Sequence, residues 1–180
     1  MLAGTIGAIL TAATAVGFPA MDPPQVQTPS RDAVIAAARD IMAAAVNCAL
    51  ITIGPDGAPQ ARMMDPFAPE DDLTVWMATS RTTRKVPEMQ ADTRVTLLYF
   101  DRENPGYVTL VGRVRLVEDL DERRARWKDA WSEYYPGGPE GPSYLLIEFI
   151  PDRLEVVSMA HDIAAAPLAW QPAIVEFDRR

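Results

Sequence analysis

Thr79, Ser80, Thr82 and Thr83 stand among Arg81, Arg84 and Lys85, so seven consecutive residues carry four hydroxyls and three cations. A phosphate dianion suits such a set. Arginine offers a planar fork for two oxygens, lysine a mobile point charge and the hydroxyls short hydrogen bonds, while a helix starting after the turn adds free N–H groups. Surface arginines and lysines are mostly solvated, so the cluster read by itself fits an ordinary basic turn equally well. Other chemistries have less to work with. Cys48 is the only cysteine and His161 the only histidine, which removes an intrachain disulfide and the usual His/Cys zinc set. Cys48 sits in an apolar run and reads as a small buried hydrophobe, and His161 has no visible partner to make it a base. Glu70-Asp71-Asp72 and Glu118-Asp119 read as solvated loop and cap charges rather than an acid/base dyad.

The 180 residues are 48% hydrophobic and 23% charged, which supplies one globular domain with an adequate core. A net charge of −8 argues against nucleic-acid partners and anionic lipid and confines any anion site to a local pocket. Residues 1 to 21 carry no charged side chain, and Ala13 and Ala15 are spaced like a leader-peptidase site, yet no Lys or Arg precedes the apolar run. Two readings stand: an export signal leading to the periplasm, or a leader-like segment of a cytoplasmic protein. The run is too short and too rich in Gly and Thr for a membrane span. The chain therefore divides into a leader-like segment with a Pro-rich linker over 1–27, a folded domain over 28–158 and a C-terminal extension over 159–180.

The elements that must position the basic turn follow from periodicity. Thr28 and Pro29 read as N-cap and first position of a helix whose apolar stripe is Val34, Ile35, Ala38, Ile41, Met42 and Ala45. Val46 to Ile53 and Pro59 to Met64 read as a hairpin around Gly54-Pro55-Asp56-Gly57. Leu73 to Thr79 is a third strand running into the basic turn; Val86 to Asp92 is a short helix that tolerates Pro87 in its first turn; Val95 to Phe100 is a fourth strand. Tyr107 to Val117 alternates as a long strand. Asp119 and Glu122 resemble a capping box opening a second long helix to about Tyr135, with Trp127 and Trp131 at i and i+4 on one face as core or dimer packing. Tyr144 to Ile150 and Arg153 to Val157 close the pattern as two more strands. Many hairpin-linked strands with peripheral helices predict a mainly β fold, an antiparallel barrel; with no Gly-x-Gly-x-x-Gly after any strand, a Rossmann site has no support.

Thr79 and Arg84-Lys85 after a strand, then Val95-Thr-Leu-Leu-Tyr-Phe, then Tyr107-Val-Thr-Leu-Val-Gly112-Arg-Val-Arg, resemble the FMN-binding split barrel of the pyridoxamine 5′-phosphate oxidase superfamily. Leu97-Leu98-Tyr99-Phe100-Asp101 and Trp127…Trp131…Tyr135-Pro136-Gly137-Gly138 before Leu145-Leu146-Ile147-Glu148 are similar to its general stress protein 26 branch. The resemblance spans about Ser30 to Val157. It implies a split β-barrel, an FMN cofactor and a homodimer with flavin at the subunit interface. It implies that Arg62, Met63 and Met64 line the flavin, that Thr79 and Ser80 contact the ribityl phosphate region and that Arg84 and Lys85 bind the phosphate. Tyr107 stands where many relatives place a glutamine beside the ring. Met63 and Met64 are adjacent and so point to opposite faces of a strand, which predicts that one of them meets the ring. FAD, deazaflavin or haem remain alternative ligands, haem the less suited because the one histidine lies outside the barrel. The resemblance further implies a flavin-dependent oxidoreductase of unknown substrate, with a non-catalytic flavin-binding stress protein as the alternative. The tail from Leu168 through Trp170 to Phe177 lacks the Trp and Arg-Leu-His segment of true pyridoxamine phosphate oxidases.

Overall fold

The computed structural model describes residues 28–163 and 171–178. The leader-like segment and Trp170 lie outside the described residues. The first helix, α1 (Arg31–Ala45), starts two positions later than the Thr28–Pro29 reading: the N-cap is Ser30, whose hydroxyl accepts the Ala33 N–H at 3.2 Å. Its buried stripe is Val34, Ala37, Ala38, Ile41 and Met42.

Strands β1 (Cys48–Ile53) and β2 (Pro59–Met64) form the expected hairpin, paired from Cys48 with Met64 to Ile53 with Pro59. Gly57 takes φ +78° in the turn, and Asp56 Oδ1 accepts the Ala58 N–H at 3.0 Å, so the Gly54–Gly57 segment supplies both the left-handed residue and the local side-chain bond that close it. Next come β3 (Val75–Ser80), α2 (Lys85–Ala91), β4 (Arg94–Asp101) and β5 (Gly106–Val117).

Two expectations are corrected beyond β5. The long helix over 119–135 is instead a six-residue α3 (Leu120–Ala125), capped as foreseen by Asp119, and a separate 3-10 turn over Asp129–Glu133. The chain leaves helical geometry at Arg126 because its groups have tertiary partners. Its carbonyl accepts the Tyr144 hydroxyl at 2.6 Å, and its guanidinium lies 3.7 Å from the centre of the Trp76 ring. The two closing strands are one strand, β6 (Tyr144–Ser158), with a register slip opposite Val111 and Gly112 where β6 passes through Pro151. A further short strand, β7 (Ala173–Glu176), lies in the C-terminal extension and pairs with the end of β6.

All pairings are antiparallel, in the order β2-β1-β4-β5-β6-β3, with β7 also on β6. The ends of that order meet at one point: Pro66, just past β2, bridges Met77 of β3, and the Phe67 N–H donates to the Trp76 carbonyl at 2.8 Å. The barrel is therefore closed at Pro66–Met77 and split beside it, where β2 and the end of β3 run without pairing to each other. This is the split β-barrel expected from the sequence. Its core holds Leu50, Met77, Leu97, Tyr99, Leu110 and Phe149, among others, under α1. A second cluster on the other face of β3 packs Trp76, Ala78 and Val117 against Trp131, Tyr144 and Leu146. Buried apolar clusters on both sides explain why β3 reads as a continuous apolar run rather than an alternating one.

Candidate functional site

The split opens into a cleft of about 780 Å³ whose walls come from β2 and its continuation (Met63, Met64, Asp65), from β3 and the basic turn (Ala78, Thr79, Ser80, Thr83, Lys85) and from the segment after α3 (Lys128, Ala130, Trp131, Glu133, Tyr134, Tyr135). Five predicted residues thus share one space: Met63, Met64, Thr79, Ser80 and Lys85. Both methionines reach it, although they project from opposite faces of β2. They sit at the strand's free edge beside the split, Met63 exposed and Met64 buried, so the cleft wraps around that edge.

Lys85 is its cationic end. The ammonium donates to Thr79 Oγ1 at 3.0 Å and Thr83 Oγ1 at 3.3 Å, and those hydroxyls lie 3.0 Å apart. Thr83 Oγ1 in turn donates to the Ser80 carbonyl at 2.8 Å, which folds the turn back on β3. Among the described residues Lys85 makes no ion pair within 4.0 Å. Burial lowers its pKa, and the nearby charges of Arg62 and Arg84 add to that effect against the opposing influence of Glu88. An ammonium half-removed from water, bonded only to neutral hydroxyls and held beside other cations, gains more from an anion than an exposed lysine does.

The remaining cations of the constellation are occupied elsewhere. Arg81 donates to Glu118 Oε1 at 2.6 Å. Arg84, 66% exposed, lies 3.8 Å from Glu88 Oε1 and lines a different cleft between α2 and the β1–β2 turn. Arg62 points into the barrel wall and donates to Thr52 Oγ1 at 2.5 Å and Glu88 Oε2 at 2.6 Å. Tyr107, half-buried on β5 between Phe100 and Val157, packs against the main core and is not among the cleft's walls.

The opposite wall is aromatic, and its periodicity, which in sequence resembles a helix face, carries no signal of a place in the site. Asp65 fastens it to β2: its carboxylate accepts from Lys128 Nζ at 3.0 Å on each oxygen and from Trp131 Nε1 at 3.1 Å. Lys128 also lies over the Phe67 and Trp131 rings, 4.8 and 4.9 Å from their centres, so its charge is already satisfied. Burial, and secondarily the charge of Asp65, raise the Tyr135 pKa, which keeps that phenol protonated at the cleft wall.

Two readings outside the cleft are resolved as well. Cys48 is buried, and burial pushes its thiol up to about 11, which suppresses the nucleophilic thiolate. His161 does have partners: Nδ1 lies 2.8 Å from Ser158 Oγ and Nε2 3.1 Å from Asp40 Oδ2. The serine is 1% exposed, so the chain of contacts ties the end of β6 to α1 and presents no accessible nucleophile.

A family model described as pyridoxamine 5′-phosphate oxidase matches residues 34–158. General stress protein 26 of Bacillus subtilis (strain 168) is 26% identical over 105 residues, which is 57% of this chain and 73% of that protein. A solved protein from Clostridium acetobutylicum, related to general stress protein 26, superposes with a TM-score of 0.68 at 18% identity, covering 82% of this chain and 96% of its own. A pyridoxamine 5′-phosphate oxidase-related, FMN binding protein from Nostoc punctiforme gives a TM-score of 0.55 at 14% identity, covering 86% of this chain and 100% of its own.

Proposed function

The chain belongs to the pyridoxamine 5′-phosphate oxidase family, and from that premise we propose that it is an FMN-binding flavoprotein whose cofactor occupies the split between β2 and β3. The observation that carries the reading is Lys85: an ammonium bonded, among the described residues, only to hydroxyls, at the end of a cleft that also presents methionine side chains. Such a donor set fits a phosphate monoester joined to an uncharged planar body. Lys85, Thr79, Ser80 and Thr83 hold the phosphate, Met63 and Met64 give the ring an apolar polarizable surface, and Arg62 and Arg84 contribute positive potential from beyond the cleft walls. The FMN binding protein of Nostoc punctiforme, similar in fold, supports the choice of flavin.

A second copy of the chain completes the site in this reading. The outer face of the β2-β1-β4 sheet is apolar, with Met63 66%, Leu98 38% and Phe100 59% exposed. Met63 and Leu98 flank Ala49 in one cross-strand row. Because Met63 lines both this face and the cleft, a partner seated on the face also walls the flavin.

The reaction assigned is oxidoreduction of a small molecule, since a bound flavin supplies hydride or electron transfer from its own ring. The protein's share is to fix the phosphate, present the ring and limit water around it. FMN-loaded protein is expected to consume NADPH or NADH steadily in air. A bound flavin that no donor reduces would contradict the oxidoreductase half and support a non-catalytic flavin-binding role.

A further inference from the structure

Among the buried charges that flavin binding as described leaves without a role, Glu88 lies next to the cleft. Glu88 of α2 is 8% exposed, and a carboxylate taken out of water is costly unless its oxygens are matched. They are matched across three elements. Oε2 accepts from Thr52 Oγ1 of β1 at 2.5 Å and from Arg62 Nη2 of β2 at 2.6 Å, while Oε1 faces Arg84 Nε at 3.8 Å. Burial is the largest influence on its pKa and pushes it up, yet the bonds from Thr52 and Arg62 and the charges of Arg62 and Arg84 together hold it below the ordinary carboxylate value. One helical turn separates Glu88 from Lys85, and Arg62 immediately precedes Met63 and Met64 on β2. The pair Glu88–Arg62 is therefore the direct tie between the helix carrying the ammonium and the strand carrying the methionines.

We propose that Glu88 is a positioning residue of the cleft: by gripping Arg62 and Thr52 it fixes Lys85 relative to Met63 and Met64, and so sets the distance between a phosphate and the apolar surface that receives its flat body. The inference rests on reading the cleft as a flavin phosphate site. It also explains why Arg62 lies beside Lys85 without lining the cleft: its guanidinium is the anchor of the tie, not a ligand.

Charge alone predicts the opposite of positioning, which makes the proposal testable. A carboxylate near an anion site repels the anion, so Glu88→Gln would tighten phosphate binding if only the electrostatic field mattered. Positioning predicts weaker binding in Glu88→Gln, in Glu88→Asp, which keeps the charge but loses reach, and in Thr52→Val, which leaves every charge in place. The experiment titrates FMN, riboflavin and inorganic phosphate into the protein and these variants, following flavin fluorescence and the tryptophan fluorescence to which Trp131 in the cleft wall contributes, with thermal unfolding as the check on folding. Expected are FMN affinities lower by about tenfold in the Glu88 variants and several-fold in Thr52→Val, with riboflavin affinity unchanged. FMN binding that is tighter or unchanged in Glu88→Gln, or unchanged in Thr52→Val, overturns the proposal; Thr52→Val decides the matter if the Glu88 variants fail to fold. If FMN does not bind the wild-type protein, the flavin reading fails and the positioning role, which needs both a phosphate and a flat body, falls with it; inorganic phosphate, which has no flat body, is expected to bind the variants as it binds the wild type.

Discussion

An anion seated against Lys85 meets an ammonium whose proton the fold holds less firmly than usual, because burial, and then the charge of Arg62, outweigh the attraction of Glu88. The sign of the pH dependence follows. The charged form exists below the lowered pKa and is lost as pH rises through it, at a lower pH than the ordinary 10.5, while the ligand's phosphate is dianionic above about pH 6. FMN affinity is expected to fall on the alkaline side at a pH where exposed lysines still carry their charge. Lys85→Met should remove that alkaline limb and weaken binding at neutral pH by about 1.5–3 kcal/mol, the worth of one charge-assisted bond. Fluorescence titrations across pH check both; an alkaline limb retained in Lys85→Met would assign it to another group. In sequence the cluster suits an anion and an ordinary basic turn equally well, and it does not show which of its cations faces the cleft. Arg84 and Lys85 are neighbours at the start of α2, where each residue turns about 100° around the helix axis, so they diverge into different clefts. Arg81 is claimed by Glu118, 37 positions away, a partner no local pattern announces.

Among the elements, those set by local chemistry were legible and those set by distant partners were not. The β1–β2 hairpin follows its turn residues, and α3 begins where Asp119 caps it, with Asp119 Oδ1 accepting the Asp121 and Glu122 N–H groups at 3.1 and 3.0 Å. The same segment continues to read as helix past Arg126, yet Trp76, Tyr144 and Asp65 pull it open and lay it along the cleft as an aromatic wall. Strand β6 looked divided at Pro151 but runs through it. The proline lies where β6 exchanges partners, from β3, last paired at Phe149, to β7, first paired at Arg153. Gly112 is the residue on β5 that admits this irregularity, since a Cβ there would stand 2.1 Å from the Ile150 carbonyl oxygen and 2.8 Å from Phe149 Cζ. Gly112→Ala is expected to destabilise the fold by about 1–3 kcal/mol through overpacking against backbone that cannot yield. Denaturant unfolding measures this, and a change under ~0.5 kcal/mol, ordinary for an uncrowded surface position, would mean that the two strands part freely at the slip.

For the molecule as a whole, the barrel class could be read from the number of strands and their short links, but its closure could not. One bridge between Pro66 and Met77 joins the ends of the sheet, and the cleft exists because pairing stops there. An acidic chain of net charge −8 holds its candidate anion site at that gap, around a single lysine and hydroxyls drawn from one strand and one turn. The apolar outer face carrying Met63, Leu98 and Phe100 offers a partner copy a seat next to the same gap. Sedimentation velocity of the protein with added FMN, followed through the visible band of the flavin, tests the central claim most directly, with riboflavin as the phosphate-free comparison. The account predicts that FMN moves with the protein at the mass of a dimer, while riboflavin is carried at least tenfold more weakly, the difference that one charge-assisted phosphate contact supplies. FMN that stays unsedimented while the protein moves, or riboflavin carried as well as FMN, would contradict it.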